Sequence, residues 1–197
     1  MMRRLAPALA TLVLALTFGP GWTGAATAPQ GMGTEAEFAR IAELIGATPG
    51  KTVADVGAGG AGLITYPLAE RVGPTGRVYA TEVKEPQVDS LRKGAKRRGL
   101  ENVEVVFGTQ QDMGLPSQCC DGLLLRLVYH AFDEPTQMLD SLRRSMKPGG
   151  LVLIVDFRPK PDQLTREMGS VGFDRVEVFE RWQGREEIFA VLFKKRS

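Results

Sequence analysis

The stretch that decides the fold is VADVGAGGAG, which occupies positions 53–62. The apolar run from Thr52 to Val56 predicts a short buried strand, and the segment from Leu63 to Val72 predicts a helix behind the glycines. In an open α/β sheet, ligands bind at the carboxyl ends of the strands. Glycines there let the backbone turn tightly, and the N-terminus of the following helix favours negative charge. The stretch therefore predicts a ligand-binding strand–loop–helix unit.

Two ligand classes fit this loop. Gly57, Gly59 and Gly62 satisfy G-x-G-x-x-G, the pattern that places the pyrophosphate of a dinucleotide at a helix N-terminus. Asp55 followed by Gly57 and Gly59 also satisfies the [D/E]-x-G-x-G pattern of methyltransferases. Glu82, at the end of the second predicted strand, can accept hydrogen bonds from ribose hydroxyls in either class. The loop alone leaves the cofactor open, and a tight turn that binds no ligand is a third alternative.

Strands and helices alternate along the rest of the chain. Strands as apolar as these are buried on both faces, which is typical of a parallel sheet between helices. The last two predicted strands flank Gln183-Gly184-Arg185 as a hairpin, so the last strand runs antiparallel to its neighbour. The predicted strands are 52–56, 77–82, 103–107, 122–128, 151–156, 175–182 and 186–194, and the predicted helices are 35–45, 63–72, 86–98, 135–146 and 163–171.

An ordered set of short motifs distinguishes between the two ligand classes. After the glycine loop come VYATE at 78–82, FG at 107–108, LP at 115–116, CDGL at 120–123, KPGGL at 147–151 and VD at 155–156. Over residues 35–197 the chain therefore resembles class I, Rossmann-like methyltransferases, and a nicotinamide enzyme has no reason to carry this set. The resemblance implies an α/β fold with a doubly wound, seven-stranded, mostly parallel sheet, an antiparallel C-terminal hairpin and helices on both faces. It also implies S-adenosylmethionine as the cofactor.

The resemblance assigns roles to the glycine loop and the second strand. Asp55 would face the methionine amino group of the cofactor, directly or through water. Gly57, Ala58 and Gly59 would let backbone atoms reach the methionine and ribose parts. Glu82 would accept hydrogen bonds from both ribose hydroxyls.

After the third strand, Thr109 and Gln110 occupy the position that contacts adenine in the family. The residue at position 109 is often aspartate in these proteins, accepting a hydrogen bond from the adenine amino group. Thr109 can still accept but carries no charge, and Gln111 or Asp112 could replace the missing carboxylate.

Two residues near the end of the fourth strand are the candidates for contact with the reacting groups. Arg126 belongs to the region that would line the sulfonium end; it either faces a substrate carboxylate or phosphate, or pairs with Asp156. His130 is the only histidine in the chain. Histidine titrates near neutrality, so His130 is the candidate general base. The alternative is a loop histidine with a local hydrogen bond.

The N-terminus has the layout of a secretory signal peptide. Met1-Met2-Arg3-Arg4 is followed by an uncharged apolar run to Phe18 and then by small residues. We therefore expect a signal peptide at 1–26, a linker at 27–34 and export to the periplasm or the cell exterior, with no stable membrane span once the leader is removed. If translation starts at Met32 instead, the protein is cytoplasmic.

Composition narrows the remaining function classes. The formal net charge is +2, and the basic run at 92–98 is typical of the solvated face of a helix, so nothing here indicates nucleic-acid binding. Cys119 and Cys120 are adjacent, which suits neither a disulfide scaffold nor a zinc site. The predicted function is methyl transfer from S-adenosylmethionine to an unidentified acceptor; the oligomeric state is open. The alternatives are a non-catalytic S-adenosylmethionine-binding or interaction module on the same fold and, less favoured, an NAD(P)-dependent reductase.

Overall fold

The computed structural model describes residues 33–133 and 135–197. The predicted signal peptide and most of the linker lie outside the described residues, as does Met32. Within the described part of the chain, every helix is too short or too polar to cross a membrane.

The described residues form one sheet of seven strands with helices on both faces. The helices are α1 Glu35–Leu44, α2 Thr65–Val72, α3 Glu85–Arg98, α4 Pro135–Ser145 and α5 Pro161–Ser170. The strands are β1 Thr52–Val56, β2 Arg77–Glu82, β3 Val103–Phe107, β4 Cys120–Arg126, β5 Met146–Asp156, β6 Phe173–Phe179 and β7 Phe189–Lys195.

The strand order is β3-β2-β1-β4-β5-β7-β6, which confirms the predicted fold class. The first five strands are parallel, and β7 lies antiparallel between β5 and β6. The chain runs outward from β1 to β3 and then returns to the other side of β1, so β1 and β4 flank the switch point. A ligand is expected above this point, at the carboxyl ends of the strands.

Alternating side chains of the central strands build two apolar layers. Ala54 and Val56 point to the face that α4 and α5 cover, while Val53 points to the face that α1 and α2 cover. Burial of both faces explains why the central strands read as continuous apolar runs. The central strands are therefore packed from both sides, whereas much of the edge strands β3 and β6 is open to solvent.

Several strand boundaries differ from the sequence prediction, among them the start of β7, which is Phe189 and not position 186. β4 ends at Arg126 because Leu127 has a positive φ of 56°, which turns the chain into the short 3₁₀ helix Tyr129–Ala131. β5 starts at Met146, which pairs with Cys120 before a register shift, so KPGG belongs to the strand. β6 ends at Phe179, before the turn that Trp182 closes by a hydrogen bond to the Ile188 carbonyl.

The contact between α1 and the sheet can be tested at Gly122. A Cβ atom at Gly122 would lie 2.1 Å from the backbone carbonyl oxygen of Ile45, just after α1. Gly122→Ala must push the two elements apart and should lower the free energy of unfolding by about 2 kcal/mol or more. Gly169→Ala is the matched control, because a Cβ atom there meets nothing within 4 Å and helix α5 gains up to about 1 kcal/mol. Urea unfolding measures both, and a Gly122→Ala protein as stable as the control would contradict the packing described here.

Candidate active site

The glycine loop after β1 contacts the end of β2 on one side and the segment after β4 on the other. The N–H groups of Gly57 and Ala58 both donate to the carbonyl of Thr81 in β2, at 3.0 and 3.1 Å. Gly57 has a φ of +68°, and a Cβ atom there would lie 2.4 Å from Cγ2 of Val128 in the segment after β4. Position 57 therefore needs glycine for both its backbone conformation and its close contact.

Glu82 ends β2 with its carboxylate fixed beside the loop. The N–H of Gly59 donates to Oε1 at 2.7 Å, and the N–H of Val83 donates to Oε2 at 3.1 Å. Each carboxylate oxygen accepts one of these bonds and keeps further acceptor capacity. The arrangement leaves Glu82 able to accept from a diol.

A cavity of about 430 Å³ lies above the switch point. Five of the residues predicted to bind cofactor line it: Gly57, Gly59, Glu82, Thr109 and Gln110. Its other wall is mainly apolar and is formed by Met113, Leu127, Val128, Ala131, Phe132 and Met138. A larger hollow of about 550 Å³ lies between α1 and α2, but it is away from the strand ends and the glycine loop. The cavity above the switch point is therefore the candidate site.

Thr109 lines the cavity, but its hydroxyl is committed to a turn. Oγ1 accepts from the N–H groups of Gln111 and Asp112 at 3.2 and 2.9 Å. Asp112 is engaged elsewhere: its carboxylate accepts from Gly114 N–H and from other side chains, and the first of these bonds is the main cause of its lowered pKa. Neither side chain is positioned as a free acceptor, whereas Gln110 is exposed at the cavity.

Asp55 lies behind the glycine loop and is almost completely buried. Its Oδ2 accepts from the Thr65 hydroxyl at 2.7 Å, and it is not among the residues that line the cavity. Burial raises the pKa of Asp55 to about 6, although the Thr65 hydrogen bond and the nearby Arg126 charge act in the opposite direction. The Asp55 carboxyl therefore keeps its proton to a higher pH than an exposed aspartate does.

Arg126 pairs with Glu37, which corrects the predicted alternative that it pairs with Asp156. Its Nε and Nη2 donate to the two Glu37 oxygens at 3.1 Å each. Glu37 is fully buried in α1 and also accepts from Trp182 Nε1 at 2.8 Å. A buried carboxylate requires such partners. The guanidinium therefore fixes α1 to the end of β4.

Asp156 pairs with His130 instead. Nδ1 of His130 lies 2.9 Å from Oδ1 of Asp156, and the backbone N–H of His130 donates to Oδ2 at 3.2 Å. The preceding residue, Tyr129, donates to Glu167 at 2.6 Å. Burial, and then Glu167, raise the pKa of Tyr129 well above its usual range, so Tyr129 is no candidate base. His130 does not line the cavity, but its neighbour Ala131 does.

Comparison with known proteins assigns the family. A family model described as a methyltransferase domain matches residues 47–187. This chain belongs to that family. Membership implies S-adenosylmethionine as the cofactor and explains why the glycine loop, Glu82 and the loop after β3 meet at one cavity.

Individual relatives agree with this assignment. The chain is 30% identical to nocamycin O-methyltransferase of Saccharothrix syringae over 62% of its own length and 43% of the relative. It is 28% identical to arsenite methyltransferase of Halobacterium salinarum over 72% of its length and 35% of the relative. The chain thus spans less than half the length of these curated relatives. An S-adenosylmethionine-dependent methyltransferase structure from Aquifex aeolicus has the same fold, with a TM-score of 0.71 at 24% identity over 80% of this chain and 89% of that one.

The raised pKa of Asp55 predicts a pH-dependent stability difference. The folded protein binds the Asp55 proton more tightly than the unfolded chain does. The stability that this proton contributes is fully present below the pKa of 3.8 in the unfolded chain, and it is lost as the pH rises through the folded-state pKa of about 6. In Asp55→Asn, the amide oxygen can keep the Thr65 hydrogen bond without a charge. Across this window, the free energy of unfolding of Asp55→Asn should rise relative to that of the wild type, by up to about 3 kcal/mol.

Urea unfolding at a series of pH values measures this difference. Asp140→Asn is the control, because Asp140 is exposed on α4. Parallel pH profiles for the wild type and Asp55→Asn would show that the buried carboxyl does not titrate in this way.

Proposed function

We propose that this chain is an S-adenosylmethionine-dependent methyltransferase that acts on a small-molecule acceptor. The observation that carries the proposal is the meeting of a fixed carboxylate, Glu82, with the glycine loop at one cavity whose opposite wall is apolar. The names of the curated relatives specify different small acceptors, so the acceptor class is proposed only at this level.

The cavity suits a single nucleoside that carries an amino-acid chain. Glu82 is placed to accept from the two ribose hydroxyls, and Gln110 is exposed where the adenine would lie. Gly57 and Gly59 bring the backbone to the cavity wall, with Ala58 between them.

The chain's own groups would orient the reactants and exclude water. When bound, S-adenosylmethionine supplies a methyl group on a sulfonium centre for an in-line displacement. Val128, Phe132 and Met138 form part of an apolar wall that would keep water from a cofactor bound in this cavity. Alignment of two reactants in such a pocket is the main contribution of an enzyme to this kind of transfer. Asp55 would add negative charge from behind the glycine loop when it is ionised.

Cofactor binding can be tested at Glu82. Glu82→Gln keeps an oxygen for the Gly59 N–H but loses the charge that strengthens hydrogen bonds to the ribose. We expect the affinity for S-adenosylmethionine and for its demethylated product to fall by about 10- to 100-fold, the loss of one charged hydrogen bond. Isothermal calorimetry measures the affinity.

The control for this experiment is Glu85→Gln, since Glu85 is exposed at the start of α3 and does not line the cavity. Its affinity should match that of the wild type. A wild-type protein that binds neither S-adenosylmethionine nor its demethylated product, or that binds NAD more tightly, would overturn the proposed function.

We also propose that residues 1–26 direct export, on the basis of their sequence alone. The positive start, the apolar run and the small residues before Thr27 support this proposal. The expected result is a mature chain in the periplasm or medium that begins close to Thr27, as measured by intact-mass spectrometry after cell fractionation. A chain in the cytoplasm that retains these residues, or one that starts at Met32, would contradict export.

A further inference from the structure

We propose that His130, held by Asp156, is the general base of this site, and that the methyl acceptor is a hydroxyl group. The proposal rests on the proposed function, because it concerns the second substrate of the same reaction. It is argued from the hydrogen bonds around Asp156, from the free edge of the imidazole ring and from the place of His130 beside the cavity.

The hydrogen bonds around Asp156 fix the orientation of the imidazole. Asp156 is fully buried at the end of β5, and it accepts from the backbone N–H groups of His130 and Phe157, at 3.2 and 2.8 Å. A carboxylate with these donors is an acceptor, so the contact of 2.9 Å with Nδ1 requires a proton on Nδ1. The neutral ring then carries its lone pair on Nε2.

The Nε2 edge of the ring is available to a ligand. Among residues 33–133 and 135–197, Nδ1 is the only ring nitrogen of His130 with a hydrogen-bond partner, and no buried side-chain nitrogen or oxygen lacks one. The His130 side chain is 24% exposed. Because Nε2 is unpaired in this part of the chain and is not counted among the buried atoms, it is open to solvent.

The neighbours of His130 in the chain put it beside the cavity. Val128 and Ala131, on either side of it in the chain, both line the cavity. Its ring packs on Phe157, at 4.4 Å between centroids, and Phe157 is 43% exposed. An apolar acceptor resting against Phe157 would therefore lie next to Nε2 and beside the cavity that holds the cofactor.

Among the residues that the structure describes, two other charged groups on this side of the site have contacts of their own. Glu167 of α5 accepts from Tyr129, and the guanidinium of Arg158 stacks on Phe157, 5.1 Å from the ring centroid. Asp156 is the carboxylate that contacts the imidazole, and it stabilises the charged ring that proton transfer creates. Asp156 is thus a positioning residue, and His130 is the group that would touch the acceptor.

A base of this kind limits which acceptor atoms fit the site. As the acceptor oxygen bonds to the methyl carbon, the carbon–sulfur bond breaks and its electron pair returns to sulfur. The hydroxyl proton passes to Nε2 of His130, and the imidazolium is balanced by Asp156. Thioethers and already ionised nucleophiles need no such proton transfer, whereas a neutral hydroxyl does. The dyad therefore fits an acceptor that must lose a proton, such as the hydroxyl group proposed here.

The tautomer of His130 can be measured without any acceptor. The chain has a single histidine, so tag-free protein labelled with ¹⁵N-histidine gives one imidazole signal pair. We expect the neutral ring to carry its proton on Nδ1, and Asp156→Asn to shift the proton toward Nε2. A wild-type ring protonated on Nε2 would overturn the proposal, because that nitrogen would have no lone pair to accept a proton.

The acceptor atom can be tested with two probes of the same shape, 2-naphthol and 2-naphthalenethiol, at mildly alkaline pH. The thiol ionises in water without a base, and the naphthol does so far less. His130→Asn retains an N–H group for Asp156 but has no counterpart of Nε2. We expect kcat/KM for the naphthol to fall by about 100-fold or more, and that for the thiol to fall by a far smaller factor.

The outcomes separate this proposal from the one on which it rests. His130→Asn should bind S-adenosylmethionine as the wild type does, by calorimetry. Equal losses with both probes, or an unchanged rate with the naphthol, would show that His130 is not a base. A wild-type protein that does not bind S-adenosylmethionine would instead contradict the proposed function.

Discussion

The structure depends on how closely the end of β1 approaches its two neighbours. Two successive N–H groups, of Gly57 and Ala58, share the Thr81 carbonyl of β2, while Val128 after β4 fills the space where a Cβ atom at position 57 would lie. The loop is thus held by backbone hydrogen bonds on the β2 side of the switch point and by the Val128 side chain on the β4 side. Any larger residue at position 57 must displace Val128 or lose the turn, so a single glycine sets the shape of the cavity floor.

A buried charge cluster extends this constraint to the outer elements. The Glu37 carboxylate, fully buried, joins α1 to Arg126 at the end of β4 and to Trp182 before β7. Breaking such a buried pair by removing one partner typically costs about 3–5 kcal/mol. Because α1 precedes the segment that the family model matches, this cluster is how a neighbouring helix becomes part of the domain. Arg126 also brings positive charge toward Asp55, behind the cavity.

The sheet could be predicted because the sequence signals for it are local. Apolar runs define the strands, and the glycine loop marks the switch point. The wall of the cavity that Gly57, Gly59 and Glu82 line could be predicted for the same reason, because the two glycines follow β1 and Glu82 ends β2. The partner of Arg126 could not be predicted, as Glu37 lies 89 residues away and nothing in a single sequence links the two. Thr109 shows a further limit, because only the folded loop reveals that its hydroxyl is used within the turn.

The two sides of the switch point present different chemical groups to the site. On one side, β1 and β2 present a backbone loop and the carboxylate of Glu82, which suit a ligand rich in hydroxyl groups. On the other, β4 and β5 end in a histidine and a carboxylate that are bonded to each other beside apolar side chains. Since Leu127 adopts a left-handed conformation at the end of β4, the chain turns there and places Val128 and Ala131 on the cavity, with His130 at its edge. Leu127, with its positive φ, thus joins the glycine-loop side of the cavity to the proposed base, and the proposal therefore puts the acceptor over β4 and β5.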